Sequence, residues 1–272
     1  MPELPEVESA RSVIARVALG RVIVDVDDTD TYECRPHRPG EIRTALLGRT
    51  LTDAHRRGKS MWCDTSPVNG SAVAGPPLGI HLGMSGKIVV AASDGTETDG
   101  GDYWDRGRQP GDRRYLRFSL TFDDGGSMAL IDPRRLGRVR LDPLIDRLGP
   151  DAGLITPSQF RAALARGSAP VKARLLDQES IAGIGNLLAD QILWQARISP
   201  GRSVQDLSAD DISRLLRAVR QAIRAAVAGG GVHTLSVVPF RKPGGRCPRD
   251  NAPMVRSTVG GRTTWRCSRE QP

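Results

Sequence analysis

The chain has 272 residues, 39% of them apolar, 26% charged and only 4% aromatic. That length holds one large domain or two, with enough core to need no disulfides, and so few rings exclude a base-stacking platform built on many aromatics. Lys and Arg number 39 against 31 Asp and Glu, and all the basic residues but Lys59, Lys87, Lys172 and Lys242 are arginine, whose planar fork suits phosphate oxygens and guanine edges.

The first element expected is a helix over 6–19. Pro5 suits a first helical position, Val7, Ala10, Val13, Ile14 and Val17 recur at helical spacing, and Gly20 is a stop signal. From about 21 to 142 the pattern changes to short β runs at 21–26, 60–64, 79–82, 87–91, 115–121, 127–132 and 137–141, separated by Gly and Asp turns, which predicts a sandwich. Residues 92–113 are polar and glycine-rich and read as a surface loop. After Leu148-Gly149-Pro150 the chain turns helical. Thr156 caps a helix with Pro157 at its start, another segment begins near Pro170, and the Gly183-Ile184-Gly185-Asn186 turn opens a helix to about Ala196. Ser208 then caps a long helix over 209–228 that closes at Gly229-Gly230-Gly231. The last 35 residues are short of core and read as a hairpin or finger.

The fold class is therefore α+β. It comprises a β-sandwich with an N-terminal helix over 1–145, a helical domain over 146–235 and a C-terminal hairpin over 236–272. The basic excess concentrates at the end, with eight basic and two acidic residues in 238–272, and points to nucleic acid or another anionic surface. No run of 18 apolar residues exists, so no membrane partner is expected. The start, Met1-Pro2-Glu3-Leu4-Pro5-Glu6, lacks the basic and apolar parts of a signal peptide, so a cytoplasmic protein is expected, and the chain is expected to be a monomer. Cys34, Cys63, Cys247 and Cys267 are expected to be reduced there.

The N-terminus carries its own chemistry. Removal of Met1 leaves Pro2 with a free secondary amine, whose α-amino pKa of about 8 keeps part of it unprotonated near neutrality. Joined to an aldehyde-level carbon, such an amine gives a cationic iminium, a strong electron sink. Glu3 and Glu6 lie close enough in sequence to donate a proton or support the charge. The plain alternative is an ordinary helix start, where acidic residues favour the dipole.

Met1-Pro2-Glu3-Leu4-Pro5-Glu6-Val7-Glu8 is similar to the start of the formamidopyrimidine-DNA glycosylase/endonuclease VIII family, in its formamidopyrimidine branch. His81-Leu82-Gly83-Met84-Ser85-Gly86, Asp132-Pro133-Arg134-Arg135-Leu136-Gly137, Leu148-Gly149-Pro150-Asp151, Gly183-Ile184-Gly185-Asn186 and Arg262-Thr263-Thr264-Trp265 follow in the family's order over nearly the whole chain. The resemblance implies a bifunctional DNA glycosylase and abasic-site lyase of base excision repair, acting on damaged double-stranded DNA without a small-molecule cofactor. It implies that Pro2 attacks the sugar C1′, that Glu3 donates or shuttles a proton with Glu6 in support, and that Lys59 transfers a proton and contacts the sugar–phosphate. Met84, Arg134 and Leu136 would fill the hole left by a flipped base, with Arg135 on phosphate. Asn186 and Lys172, in the helix–two-turn–helix element, would face phosphate or the extruded base, and Arg113 and Arg166 would touch DNA. Arg262 would bind phosphates beside the lesion and assist δ-elimination.

Two departures bear on these implications. The family's finger pairs read here Cys247-Pro248-Arg249-Asp250 and Cys267-Ser268-Arg269-Glu270, so each second cysteine has become a carboxylate. Structural zinc strongly favours sulfur and nitrogen, and a zincless finger is expected; if metal binds, Cys247, Asp250, Cys267 and Glu270 are its ligands. Leu136 stands where the family usually has phenylalanine, and only 15 residues separate Gly231 from Cys247, too few for the long lid of purine-specific relatives. The alternatives are therefore an endonuclease VIII-like enzyme for oxidised pyrimidines or abasic sites, and a non-catalytic binder of damaged DNA.

Overall fold

The computed structural model describes residues 2–68, 73–101 and 113–272. They form two compact units, one of Pro2 with Glu6–Ile145, the other of Glu3–Pro5 with Asp146–Pro272.

In the first unit α1 (Leu4–Val17) begins two residues earlier than its apolar spacing suggested. Val7, Ala10, Val13 and Ile14 are buried on one stripe, each of the larger side chains contributing about 1.5–3 kcal/mol. After it come β1 (Ile23–Asp27), α2 (Glu41–Leu46), β2 (Leu51–Arg57), β3 (Ser60–Thr65), β4 (Gly75–His81), β5 (Lys87–Ala91), β6 (Glu97–Gly101), β7 (Leu116–Phe122), β8 (Ser127–Ile131) and β9 (Arg138–Leu141). Two sheets result, ordered β1-β7-β8-β5-β6 and β2-β3-β4-β9, with antiparallel pairing throughout. Their inner faces share one core, in which Ile23, Phe118 and Leu130 of one sheet cluster with Met61, Leu78 and Val139 of the other. Alternation of buried and half-buried positions along β3 is the pattern of a strand with one face in the core.

Three elements differ from the sequence reading. The polar stretch read as a loop contains β6, which pairs with β5 from Lys87↔Gly101 to Ala91↔Glu97. As an edge strand it is held by backbone bonds and carries no apolar alternation to reveal it. The rest of that stretch, 102–112, lies outside the described residues. Strand β2 and the short α2 were also not anticipated, because His55-Arg56-Arg57 and the charges around Glu41 hide their apolar positions.

In the second unit α3 (Pro157–Leu164) is capped by Thr156 in a capping box with Gln159. It is followed by α4 (Val171–Leu176), α5 (Asn186–Ala196) and α6 (Ala209–Gly229). Ser208 caps α6 in a second capping box with Asp211, and Gly230 ends it in the left-handed conformation. Leu215, Val219, Ala222, Ile223 and Ala226 of α6 enter a core shared with Phe160, Leu175, Leu188 and Ile192. Strands β10 (Met254–Val259) and β11 (Arg262–Cys267) form the terminal hairpin. Trp194 of α5 clusters with Val237, Met254 and Trp265 beneath it. The segment after α6 is no free lid, since Val232, Leu235 and Val237 are buried. Among the described residues no helix is long and apolar enough to cross a membrane.

Candidate functional site

Pro2 is buried, and so is Glu6 one turn along. Between them, Glu3 and Leu4 belong to the second unit and are fastened there. The Glu3 carboxylate accepts the backbone N–H groups of Gly185 at 2.9 Å, Leu187 at 2.8 Å and Leu188 at 3.1 Å. Leu4 N–H donates to the Gly183 carbonyl at 3.2 Å. Three amides at the start of α5 thus converge on one carboxylate, the setting that stabilises an anion at a helix N-terminus. Only glycine fits at 185, where a Cβ would lie 2.3 Å from Glu3 Cδ. Glu3 thus takes three of the backbone amides at this helix start, those of 185, 187 and 188.

In the first unit, Lys59 sits in the two-residue turn between β2 and β3, whose last pair is Arg57↔Ser60. Gly58 supplies the positive φ of 61° that the tight turn requires. Arg56 donates to Glu8 Oε2 of α1 at 2.8 Å and to Gly58 O at 3.1 Å, bracing the turn. Burial opposes ionisation of Glu8, yet the hydrogen bonds from Arg11 and Arg56 hold its carboxyl below the ordinary range. His81 opens the His81–Gly86 motif but carries none of the roles that the resemblance implies. Its Nδ1 accepts from Gly83 N–H at 3.0 Å, which leaves Nε2 as the protonated donor of the neutral ring. Burial, with Lys59 and Arg138 nearby, pushes its pKa down. His81, Arg138 and Arg140 line one cleft of about 130 Å³. The sequence signal for them was the basic alternation Arg138-Val139-Arg140.

The Asp132–Gly137 turn presents Arg134, Arg135 and Leu136 to solvent, and Leu136 is 41% exposed despite being apolar. Its organiser is Asp132, fully buried. One carboxylate oxygen accepts Ser85 Oγ at 2.5 Å and Arg134 N at 3.1 Å, the other Leu136 N at 2.9 Å and Gly137 N at 2.8 Å. Arg135, with a left-handed φ of 52°, is tied to Asp30 at 2.8 Å, so it is less free for phosphate than its neighbours. Met84 is half-buried, and Arg113 and Arg166 are exposed.

Lys172 departs furthest from expectation. Its side chain is 0% exposed, paired with the equally buried Asp190 at 2.7 Å. It also donates to Thr264 Oγ1 at 2.8 Å and to the Thr263 carbonyl at 3.2 Å. Burial lowers its pKa against the opposing pull of Asp190. A wholly buried ammonium with these partners does not face DNA, and that expectation is corrected. Asn186 likewise turns its Nδ2 to the Thr263 carbonyl, at 3.0 Å. Both residues hold the strand that carries Arg262, whose own side chain is exposed. Asp190 completes the anchorage by accepting Trp265 N–H at 3.1 Å and Arg241 Nε at 2.8 Å.

In the finger, the ligand atoms of Cys247, Asp250 and Cys267 lie within 4.8 Å of one another. Glu270 does not join them. It pairs with Arg249 at 2.5 Å and Arg197 at 3.3 Å, and the Arg249 guanidinium lies 3.7 Å over the Trp194 ring. Cys267 Sγ lies 3.5 Å from both Asp250 oxygens, and burial raises its thiol pKa. A closed structural zinc site takes four donors. Here the fourth is neutralised by two guanidiniums, so the set does not fit one.

Residues 1–139 match the formamidopyrimidine-DNA glycosylase N-terminal domain, and residues 148–236 the formamidopyrimidine-DNA glycosylase H2TH domain. The chain belongs to the formamidopyrimidine-DNA glycosylase family. A formamidopyrimidine-DNA glycosylase of Parafrankia sp. (strain EAN1pec) is 31% identical over 301 residues, covering 100% of this chain and 98% of that protein. One from Arabidopsis thaliana is 35% identical over 237 residues, covering 84% of this chain and 58% of that protein. The solved formamidopyrimidine-DNA glycosylase of Lactococcus lactis, non-covalently bound to DNA containing an abasic site, superposes with a TM-score of 0.78 at 25% identity, over 99% of each chain. The α+β architecture of sandwich, helical region and terminal hairpin is thus that of the formamidopyrimidine-DNA glycosylases.

Proposed function

We propose that this chain is a bifunctional glycosylase and abasic-site lyase. Its coarser activity follows from the family: it is a DNA glycosylase of base excision repair that binds damaged double-stranded DNA and removes oxidised bases. In the finer reading, the Pro2 nitrogen attacks C1′, the glycosidic bond breaks, and the base leaves with its electron pair and takes up a proton through Glu3. The attacking nitrogen then gives up its proton, the sugar C1′–O4′ bond opens with a proton taken up by O4′, and the cationic iminium so formed at C1′ acidifies C2′. Loss of a C2′ proton, assisted by Lys59, expels the 3′ phosphate, and loss of a C4′ proton in a second elimination, assisted by Arg262, expels the 5′ phosphate. Glu6 supports the N-terminus. Met84, Arg134 and Leu136 occupy the space of the extruded base, offsetting the few kcal/mol that flipping costs, while Arg113, Arg135 and Arg166 add positive charge along the phosphates.

The observation that carries this reading is the fastening of residues 3 and 4. Three amides on the Glu3 carboxylate and the Leu4–Gly183 bond fix the chain immediately after Pro2, as a nucleophile held for attack needs. Borohydride reduction is expected to trap a covalent protein–DNA adduct, and Pro2→Gly or an N-terminal tag to abolish it. Efficient trapping by the tagged protein would assign the chemistry to another amine.

A second reading favours oxidised pyrimidines and abasic sites. Leu136 as the wedge and the buried segment after α6, where a long lid would stand, both support it. We further propose that 1–145, 146–235 and 236–272 act as catalytic, helix–two-turn–helix and finger domains. The finger stands without zinc, its hairpin held by Trp265, the Lys172–Asp190 pair and the Arg249–Glu270–Arg197 cluster.

A further inference from the structure

Beneath the turn that carries Arg134 and Leu136 lie two buried carboxyl groups, Asp132 and Glu33. They converge on one point. A Cβ built on Gly137 would meet Glu33 Oε2 at 2.5 Å and Asp132 Oδ2 at 3.3 Å. Asp132 has four donors, whereas among the described residues no N–H or O–H is committed to either carboxyl oxygen of Glu33, which has the Asp132 carboxyl and the Gly137 amide in reach. The nearby Gly137 amide is committed to Asp132 at 2.8 Å.

The backbone of Glu33 is firmly placed. Its N–H donates to Asp30 Oδ1 at 3.0 Å and its carbonyl accepts from Val139 N–H at 2.9 Å. The other charges and titratable groups facing it come from three elements. Its own loop offers Asp30, Tyr32 and Cys34; the turn offers Asp132 and Arg135, the latter paired with Asp30; and β9 offers Arg138, which has Arg35 and Arg140 as like-charged neighbours. Arg117 on β7 also lies 3.7 Å from Asp30.

Two carboxylates cannot both ionise in one dry pocket without a large penalty. Asp132 already accepts from four donors while none is committed to Glu33 among the described residues, so the shared proton belongs on Glu33. We propose that Glu33 is a positioning residue for this turn: carried as the neutral acid, it gives its hydrogen bond to the Asp132 carboxylate and so holds Arg134 and Leu136 in one arrangement for filling the space of an extruded base. The inference rests on the proposed role of those two residues in lesion recognition.

Burial first, then the Asp132 charge, pushes Glu33 up to about 8 from an ordinary 4.5. The folded state therefore keeps a proton that the unfolded chain has lost. The stability this group contributes is full below about 4.5 and falls as pH rises to about 8, beyond which it changes no further. In the same interval a second negative charge appears under the turn and loosens it.

The test uses the free, full-length protein with 13C-labelled glutamate side chains. The Glu33 carboxyl resonance, assigned by its loss in Glu33→Gln, is expected to titrate with a midpoint near about 8. A midpoint in the ordinary glutamate range would overturn the proposal. Binding of a duplex carrying a tetrahydrofuran abasic-site analogue gives the functional readout. Between about pH 7 and about pH 9 wild-type affinity should fall at least about threefold more than that of isosteric, uncharged Glu33→Gln, in which the Pro2 amine titrates as in wild type. A pH profile in Glu33→Gln identical to wild type would also overturn it. Neither measurement needs turnover, so failure of the borohydride trap, which would remove the proposed chemistry, leaves this result readable by itself.

Discussion

Two turns in this molecule are built around a buried carboxylate, and the two use it in opposite ways. Asp132 sits inside its turn and accepts three backbone N–H groups and one hydroxyl. All the donors face inward, and Arg134 and Leu136 are left on the outside. Glu3 comes from a distant part of the sequence and fills the Gly183–Asn186 turn from without, taking the amides of residues 185, 187 and 188. The first turn displays side chains; the second has its backbone donors already covered. A glycine-rich turn at a helix start is therefore not by itself an anion site. Its vacancy depends on what the rest of the chain brings to it.

The comparison breaks most visibly at Asp132. Asp132→Ala strands four buried or half-buried donors, and urea unfolding should show a loss of about 3 kcal/mol, with affinity for a lesion duplex falling as the turn disorders. A loss below about 1 kcal/mol would mean that water replaces the carboxylate and that the turn is not organised from within.

At Glu3 the expected effect on the fold is smaller. Glu3→Gln keeps an acceptor oxygen and removes the charge, so about 1–2 kcal/mol is expected, in the range of a lost helix cap. Base release should fall far more than stability does, since the proposed proton donor is gone. Equal losses in both would reduce Glu3 to a cap.

The third carboxylate, Asp250, should give the smallest response. Its hydrogen bonds, from Ala252 first and from Cys247, hold it below the ordinary carboxylate range, and the fourth candidate donor, Glu270, is paired with Arg249 and Arg197 instead. Purified protein should contain well under about one zinc per chain, and chelators should leave Tm and strand cleavage unchanged. Stoichiometric zinc, with activity lost on chelation and restored by the metal, would make Cys247, Asp250 and Cys267 true ligands.

Much of the fold was legible because its signals are local. Thr156 and Ser208 announce their helices as caps, to which the structure adds a capping box at each, and β3, β5 and β8 show their apolar positions openly. Strand β6 was not legible, since an edge strand of polar residues and glycine is defined by its partner β5. The site divides in the same way. Arg134, Leu136 and Arg262 are exposed where motif position put them. Lys172 could not be placed from sequence, because its burial depends on Asp190 and Thr264, 18 and 92 residues away. Glu33 had no motif at all. Its meaning arises only when β9 and the Asp132 turn close over it.

The Thr263 carbonyl, gripped by both Lys172 and Asn186, also decides how Arg262 can move. With the next residue clamped, the α-carbon of Arg262 lies only about 3.8 Å from a fixed point. The strand tip is then a short cantilever, and the guanidinium reaches its anion by swinging on its own stem through an arc. Reach is set by side-chain length, so Arg262→Lys would shorten the arc and lose the fork together, whereas lengthening the Gly260-Gly261 bend would leave both intact.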